Sequence, residues 1–235
     1  MPIQDIQFTD QRWLQFWDSY KGQDHQVKAL AQLAKHIKQA DPTLLTEQAQ
    51  WALDYKSTPK APNQNLLKVK YQSQLDNASG SGYRECFSSS CAMLAIYWGK
   101  VASDDAYNAI RAKYGDSTDA QAQLAALRSL GLKADFFTNG TPKSLEAEID
   151  AGRPVAAGWL HKGPASAPTG TGHWSVVIGY TSDAWIQNDP NGEALITGGG
   201  YGGNTSGASV VYSRKNWNPR WMVGGSGGWY LTCRP

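Results

Sequence analysis

The chain has few cysteines and histidines, the side chains that most often serve as nucleophile, base or soft metal ligand. It contains three cysteines and four histidines in 235 residues. Cys86 and Cys91 lie too close together on one predicted helix to form a disulfide, and an odd number of cysteines does not fit a disulfide framework. No paired spacing of histidine and cysteine predicts a zinc site. We therefore expect reduced thiols, no metal and no cofactor.

Long apolar stretches and dense basic stretches are also missing. No run approaches the roughly 18 apolar residues of a membrane-spanning helix, and residues 1–5 carry acids and amides where a secretory signal would be basic and then apolar. The net charge is +2, and no cluster of Lys and Arg could follow a phosphate backbone. We expect a soluble, monomeric protein made in the cytoplasm, with no membrane insertion and no nucleic-acid partner.

Aromatic residues, by contrast, are abundant, with ten Trp and eleven Tyr. A core can be built from aliphatic side chains, whereas wet grooves favour amphipathic rings. The abundance indicates either a binding cleft for an extended or sugar-bearing substrate or a core and strands that are rich in rings.

The apolar pattern divides the chain into three parts. Residues 1–57 have helical spacing and predict a small all-α unit, which would bind the cell wall or serve an accessory role. Residues 58–65 are rich in proline and polar residues and predict a linker. Residues 66–235 place helices before strands, which is the order of an α+β domain with an antiparallel sheet.

Within the third part the pattern predicts individual elements. Helices are predicted over 87–98, 104–114, 119–130 and 142–151, and strands over 67–71, 134–138, 154–160, 173–180, 185–188 and 210–212. The glycine-rich stretch 197–207 lacks the Lys-Ser/Thr ending of a phosphate-binding loop and is predicted to be a flexible surface loop.

Cys86 is the candidate nucleophile. A cysteine attacks as the thiolate, which the positive end of a helix dipole and a nearby histidine favour. Cys86 directly precedes the helix predicted over 87–98, so its sulfur would face unpaired backbone amides. Cys91 lies further along the same helix among apolar residues, where packing is the simpler role. The alternative for Cys86 is likewise a small buried side chain.

His173 is the candidate base. It begins an apolar predicted strand and follows Gly172, which permits close approach. His25 and His36 fall in the helical unit, and His161 begins a loop. A buried structural histidine is the alternative interpretation of His173.

The orienting group and the oxyanion donor are predicted from the neighbouring motifs. Asp189 ends the strand that follows His173, so a hairpin can bring its carboxylate beside the imidazole. Asn188 is the second choice, and a plain Asp-Pro turn is the alternative. Gln74 precedes Cys86 by twelve residues and would supply a side-chain amide to an oxyanion hole.

The ordered set resembles the papain-like cysteine peptidases related to bacteriocin leader-processing, or double-glycine, peptidases. The resemblance covers about residues 69–192 and rests on Ser73-Gln74-Leu75-Asp76-Asn77 before Cys86, on Gly152-Arg153-Pro154-Val155, and on Gly172-His173-Trp174 followed by Asn188-Asp189-Pro190. It implies a papain-like fold and a catalytic set of Gln74, Cys86, His173 and Asp189, with Gln72 as the alternate glutamine. We expect Trp174, Tyr83 and Trp159 to contact the substrate.

A stand-alone member with a helical unit also resembles bacteriophage endolysins. This resemblance implies synthesis in the cytoplasm of a host bacterium and, after release, cleavage of peptide or amide bonds in peptidoglycan. The alternatives are a general cysteine peptidase, a thiol acyltransferase or deamidase acting on proteins, or an idle wall-binding or virion module. A glycosidase would need two facing carboxylates, for which Glu85 and Glu193 are the candidates.

Overall fold

The computed structural model describes residues 66–203 and 205–235. The chain divides into two compact units, Met1–Pro62 and Asn63–Pro235. The helical unit predicted over 1–57 and the linker predicted over 58–65 lie outside the described residues and remain predictions.

Helices and strands of the described part follow one another in an order that mixes the two types. The helices are α1 (Cys86–Tyr97), α2 (Asp104–Arg111), α3 (Ala120–Ser129), α4 (Pro142–Asp150) and α5 (Arg214–Trp221). The strands are β1 (Lys133–Gly140), β2 (Val155–Trp159), β3 (His173–Tyr180), β4 (Ala184–Asn188), β5 (Val210–Ser213) and β6 (Gly228–Arg234). Short 3-10 turns occupy Gly82–Arg84 and Val223–Gly225. None of the helices in this part is long and apolar enough to cross a bilayer.

Side chains at the helix starts explain where three of the helices begin. The Ser103 side chain accepts a hydrogen bond from a backbone amide of α2, and the Asp119 side chain does the same for α3. Thr141 and Ser144 form a reciprocal capping box at the start of α4, with Pro142 in the first turn. Each cap satisfies amides that have no partner inside the helix.

The six strands form one antiparallel sheet in the order β1-β6-β2-β3-β4-β5. The last strand of the chain, β6, lies between β1 and β2 and pairs with both. The α+β prediction is therefore confirmed, and the carboxyl-terminal segment is part of the sheet.

Each face of the sheet packs against its own set of helices. On one face, α1, α2 and α3 cover alternate residues of the strands, such as Ala156, Val176 and Leu231. On the other face, α4 and α5 cover the residues between them, such as Val155 and Val177. Because side chains alternate along a strand, both faces of the central strands are apolar, and the sheet is the middle layer of three.

The structure corrects the sequence analysis at three elements. The strand predicted over 67–71 is absent; this segment is extended, and its backbone contacts Ile178 and the side chain of Asn188 instead of joining the sheet. Helix α5 was not predicted, because it contains Pro219 and begins Arg-Lys-Asn, residues with no clear apolar period. Strand β6 was also missed, since it follows a glycine-rich stretch that reads as a loop.

Candidate active site

Cys86 is the first residue of α1 and follows the 3-10 turn Gly82–Arg84. Its side chain is partly exposed, and it is a free thiol. The amides of the first helical turn have no partner inside the helix, and the helix dipole places partial positive charge there. The sulfur therefore lies where a thiolate is electrostatically favoured. Cys91 is fully buried on the same helix, and burial raises the pKa of its thiol well above the usual value.

His173 begins β3 and is 4% exposed. Its Nε2 lies 2.7 Å from Oδ1 of Asp189. Burial alone would lower the pKa of His173, but the charge and hydrogen bond of Asp189, followed by those of Cys86, raise this pKa to about 10. With Nε2 occupied by the carboxylate, Nδ1 is the imidazole nitrogen left to exchange a proton with a thiol.

Asp189 is fully buried directly after β4 and accepts hydrogen bonds from four groups. Besides His173, they are the backbone N–H of Asn191 at 3.0 Å and the hydroxyls of Tyr201, at 3.2 and 3.3 Å, and Tyr212, at 2.8 Å. A buried carboxylate is costly unless such donors surround it. These four donors therefore satisfy the buried carboxyl group of Asp189 and fix its position beside His173.

Tyr201 and Tyr212 are site residues that the sequence analysis did not identify. Burial, followed by the charge of Asp189, raises the pKa of both phenols, so both hydroxyls remain donors. Tyr201 lies on the glycine-rich loop. Several glycines of this loop are exposed, but the hydrogen bond from Tyr201 to Asp189 attaches the loop to the site. This loop returns so close to Asp189 that a Cβ on Gly207 would lie 1.8 Å from the Asp189 carbonyl oxygen. Only the three-dimensional path of the loop brings Tyr201 to the carboxylate.

Two further rings surround the imidazole. The Trp159 ring lies edge-on to His173 at a centroid distance of 5.2 Å, and Trp159 Nε1 donates to Ser175 Oγ at 2.8 Å. The His161 ring lies 5.9 Å from the His173 ring. Burial, followed by the charge of His173, lowers the pKa of His161, so its imidazole is neutral at neutral pH. Trp159 is buried beside His173, and its contact with the substrate stays a prediction.

Gln74 links the motifs that precede and follow the site. Its side-chain Nε2 donates to the Gly82 carbonyl at 2.7 Å, and its backbone N–H donates to the Pro190 carbonyl at 2.8 Å. The first bond fixes the glutamine to the turn before Cys86, and the second fixes it to the residue after Asp189. A carboxamide nitrogen carries two N–H groups, so one N–H remains for an oxyanion.

Gln72 and Asn188, the alternates to Gln74 and Asp189, form hydrogen bonds with other parts of the chain. Gln72 Oε1 accepts from the backbone N–H of Asp104 at the start of α2. Asn188 bonds backbone groups of Val69 and Ser209. Asp189, and not Asn188, bonds His173, so Asp189 is the better placed orienting group. Gln74 differs from Gln72 in bonding the turn before Cys86 and the residue after Asp189.

The two other aromatic candidates differ in exposure. Tyr83 is 81% exposed in the turn before Cys86. Trp174 is partly buried, and its ring stacks on Phe87 with a centroid distance of 3.7 Å. Both therefore have surface near the nucleophile that a substrate can reach.

The remaining candidates of the sequence analysis have other partners. Glu85 is buried and bonds Asn77 and Ser79, with Arg111 3.7 Å away, so it belongs to a structural network. Within residues 66–203 and 205–235, no group of three or more His, Cys, Asp or Glu side chains is arranged to hold a metal ion.

Comparison with known proteins identifies the family of the chain. The model of the Peptidase_C39-like family matches residues 66–199, more than half of the chain. The chain belongs to the Peptidase_C39-like family. This is a family of cysteine peptidases, and the match spans the segment from Gln74 through Asp189.

Solved structures of peptidases resemble this family member in fold. A protein described as a C39-like peptidase from Bacillus anthracis is 17% identical, with a TM-score of 0.50, covering 72% of this chain and 95% of that one. A double-glycine-motif protease from an AMS/PCAT transporter, in complex with a leader peptide, is 19% identical, with a TM-score of 0.48 and coverages of 73% and 94%. The peptidase domain of Streptococcus ComA, a bifunctional ABC transporter, is 18% identical, with a TM-score of 0.47 and coverages of 71% and 98%. No curated protein matches the chain.

Proposed function

We propose that the chain hydrolyses peptide or amide bonds of bacterial peptidoglycan through a thioester at Cys86. The observation that carries the proposal is the buried His173–Asp189 pair, with Nε2 and Oδ1 2.7 Å apart, beside a thiol at a helix N-terminus. A thiol, a base and a group that orients the base are the parts that nucleophilic acyl transfer requires.

Acylation begins from the ion pair of the Cys86 thiolate and the His173 imidazolium. The sulfur attacks the carbonyl carbon, and the imidazolium gives its Nδ1 proton to the departing amine nitrogen, so the C–N bond breaks as the C–S bond forms. Asp189 keeps Nε2–H in place during this transfer and stabilises the imidazolium before it. The products are a thioester on Cys86 and a free amine.

Deacylation uses the now neutral His173 as a base. Nδ1 takes a proton from a water molecule, the hydroxide attacks the thioester carbon, and the C–S bond breaks to release a carboxylic acid and the thiolate. The acid then loses its proton to solvent, and the imidazolium keeps the proton that came from water. In both steps the carbonyl oxygen gains negative charge. The second N–H of Gln74 and the backbone amide of Cys86 are the proposed donors to that oxygen.

Peptidoglycan is proposed as the substrate because of the aromatic composition and the exposed rings near the nucleophile. Tyr83 and Trp229 are 81% and 55% exposed, respectively, although both rings are large. The resemblance to endolysins is part of this proposal. It implies a monomer that is made in the cytoplasm of a host bacterium and acts on the cell wall after release. The second candidate function is a peptidase that acts on proteins, which the family of cysteine peptidases favours.

The test is turbidity clearing of purified peptidoglycan sacculi by the full chain, its Cys86→Ala variant and a Cys91→Ala control from the same helix. We expect the parent and the Cys91→Ala protein to clear the suspension and the Cys86→Ala protein to leave it unchanged. Mass spectrometry of the released fragments, with labelling of new amino groups, identifies the bond. Clearing by Cys86→Ala would show that the nucleophile is wrong.

Failure of the folded parent to clear sacculi would overturn the wall substrate. Cleavage of unfolded casein would then support a protein-directed peptidase. If iodoacetamide fails to alkylate Cys86 at neutral pH, the result would instead support a catalytically idle wall-binding or virion module.

A further inference from the structure

A row of aromatic rings crosses the sheet next to the nucleophile. Phe87, the residue after Cys86, stacks on Trp174 at a centroid distance of 3.7 Å and an interplanar angle of 7°. Trp174 lies 5.9 Å from Phe136, and Phe136 lies 6.0 Å from Trp229. Ring pairs at such distances attract one another in tilted or offset arrangements. The row therefore connects the start of α1 with the last strand of the chain.

The sheet register places this row on one face. Gly158 of β2 pairs with Trp174 of β3 on one side and with Trp229 of β6 on the other. A Cβ on Gly158 would lie 2.7 Å from the Trp174 ring, so this position must be glycine for the ring to lie across β2. Trp174 and Trp229 thus occupy neighbouring positions of the same face, with no side chain between them.

Trp229 is the open end of the row. It is 55% exposed, whereas Phe87 is 2% exposed and Phe136 and Trp174 are partly buried. The other tryptophans of the carboxyl-terminal segment, Trp217 and Trp221, are buried in the core of the opposite face. An exposed indole that continues a packed row of rings offers a ligand a flat apolar face held in place from behind.

We propose that Trp229, at the exposed end of this row, is the platform of a saccharide subsite that takes a pyranose ring of the wall glycan. The inference rests on the proposed function. Side chains of the wall peptides are small or charged, while the sugar rings offer flat C–H faces that suit an uncharged indole. A neutral aromatic row beside the thiol matches the sugar better than the peptide.

The experiment compares Trp229→Ala and Trp229→Phe with Phe137→Ala. Phe137 is a suitable control because it lies on β1, is 37% exposed, and stacks on Tyr230 at 4.8 Å on the other face of the sheet. Two synthetic substrates are used, a wall stem peptide without sugar and the same peptide carrying its disaccharide. In addition, binding of an N-acetylglucosamine tetramer to each variant in the Cys86→Ala background is measured by calorimetry.

We expect Trp229→Ala to raise KM for the disaccharide substrate about tenfold and to leave KM for the sugar-free peptide and both kcat values unchanged. Trp229→Phe keeps an aromatic ring and should raise KM for the disaccharide substrate by a smaller factor. Phe137→Ala should have the same KM values as the parent. The tetramer binds the parent background and binds Trp229→Ala about tenfold more weakly.

Equal increases in KM for both substrates would overturn the saccharide subsite, because the ring would then contact the peptide. Unchanged KM values for both would overturn it as well. Tetramer binding that depends on Trp229, in a protein that cleaves neither substrate, would support the subsite and reject the proposed hydrolysis. Cleavage that does not depend on Trp229 would support the proposed hydrolysis and reject the saccharide subsite.

Discussion

Cys86 and Asp189 lie at the two ends of the candidate catalytic set, and the chain holds them by different means. Cys86 is partly exposed and lies in the first turn of one helix, which is formed by the residues that follow it. Asp189 is fully buried and accepts hydrogen bonds from residues 2, 12, 16 and 23 positions away. The nucleophile therefore depends on local structure, whereas the carboxylate depends on the folded domain.

The loops around the buried end share one further support. Arg220 of α5 is fully buried and donates to the carbonyls of Ile196, Leu160, Lys162 and Gly163 at 2.7 to 3.2 Å. It thereby joins the loop that carries His161 to the loop that carries Tyr201. Burial lowers the pKa of Arg220, yet a guanidinium keeps its charge.

The largest expected effect comes from removing the charge at the buried end. Asp189→Asn should lower kcat/KM by about 10³-fold, because the imidazolium loses its counter-charge and the amide can impose the wrong tautomer on His173. The measurement is kcat/KM on the cleaved substrate, with circular dichroism to show that the fold is kept. Activity close to the parent would mean that the carboxylate does not orient the base.

The second effect is on the support of the loops. Arg220→Met should lower the free energy of unfolding by about 3 kcal/mol, because four carbonyls lose the buried guanidinium that donates to them. Urea denaturation measures this change, and kcat/KM measured below the transition should fall as His161 and Tyr201 lose their positions. Arg220→Lys is the matched control and should recover part of the loss. If Arg220→Met is as stable and active as the parent, the guanidinium does not hold the loops.

A smaller effect is expected from the tyrosines. Tyr212→Phe removes the 2.8 Å bond to Asp189 and should cost about 1.5 kcal/mol, or about tenfold in kcat/KM. Tyr201→Phe removes longer contacts of 3.2 and 3.3 Å and should cost less. Comparing the two variants on one substrate tests this order. The reverse order would show that the loop position matters more than hydrogen-bond length.

The same contrast explains what the sequence could predict. Cys86, His173 and Asp189 stand at the ends of elements, and helix caps and apolar periods mark such ends locally. Helix α1 was predicted within one residue at each end, and β3 without error. The α+β class follows from the same patterns.

Contacts between segments that are distant along the chain could not be predicted from local sequence patterns. Tyr201, Tyr212 and Arg220 reach the site only through the path of the glycine-rich loop and α5, and no local pattern distinguishes them from other tyrosines and arginines. The insertion of β6 between β1 and β2 is likewise a property of the whole sheet. Because Trp159 alternates into the core of its face, its expected contact with substrate could not be judged before the sheet register was known.

The last prediction concerns the pH dependence of kcat/KM in the parent protein, where the effect appears only at alkaline pH. Because the pKa of His173 is raised to about 10, its imidazolium form is kept below that pH and is lost above it. Acylation needs this proton for the leaving amine, so kcat/KM should be flat from neutral pH and fall about tenfold per pH unit above about pH 10.

The tyrosines do not confuse this measurement, since burial and Asp189 raise their pKa values and keep the hydroxyls protonated. Circular dichroism across the same range separates a loss of the proton from a loss of fold. A fall near pH 6.5 to 7 would show that Asp189 does not hold the charge on the imidazole, and the buried end would then be a structural feature instead of a catalytic one.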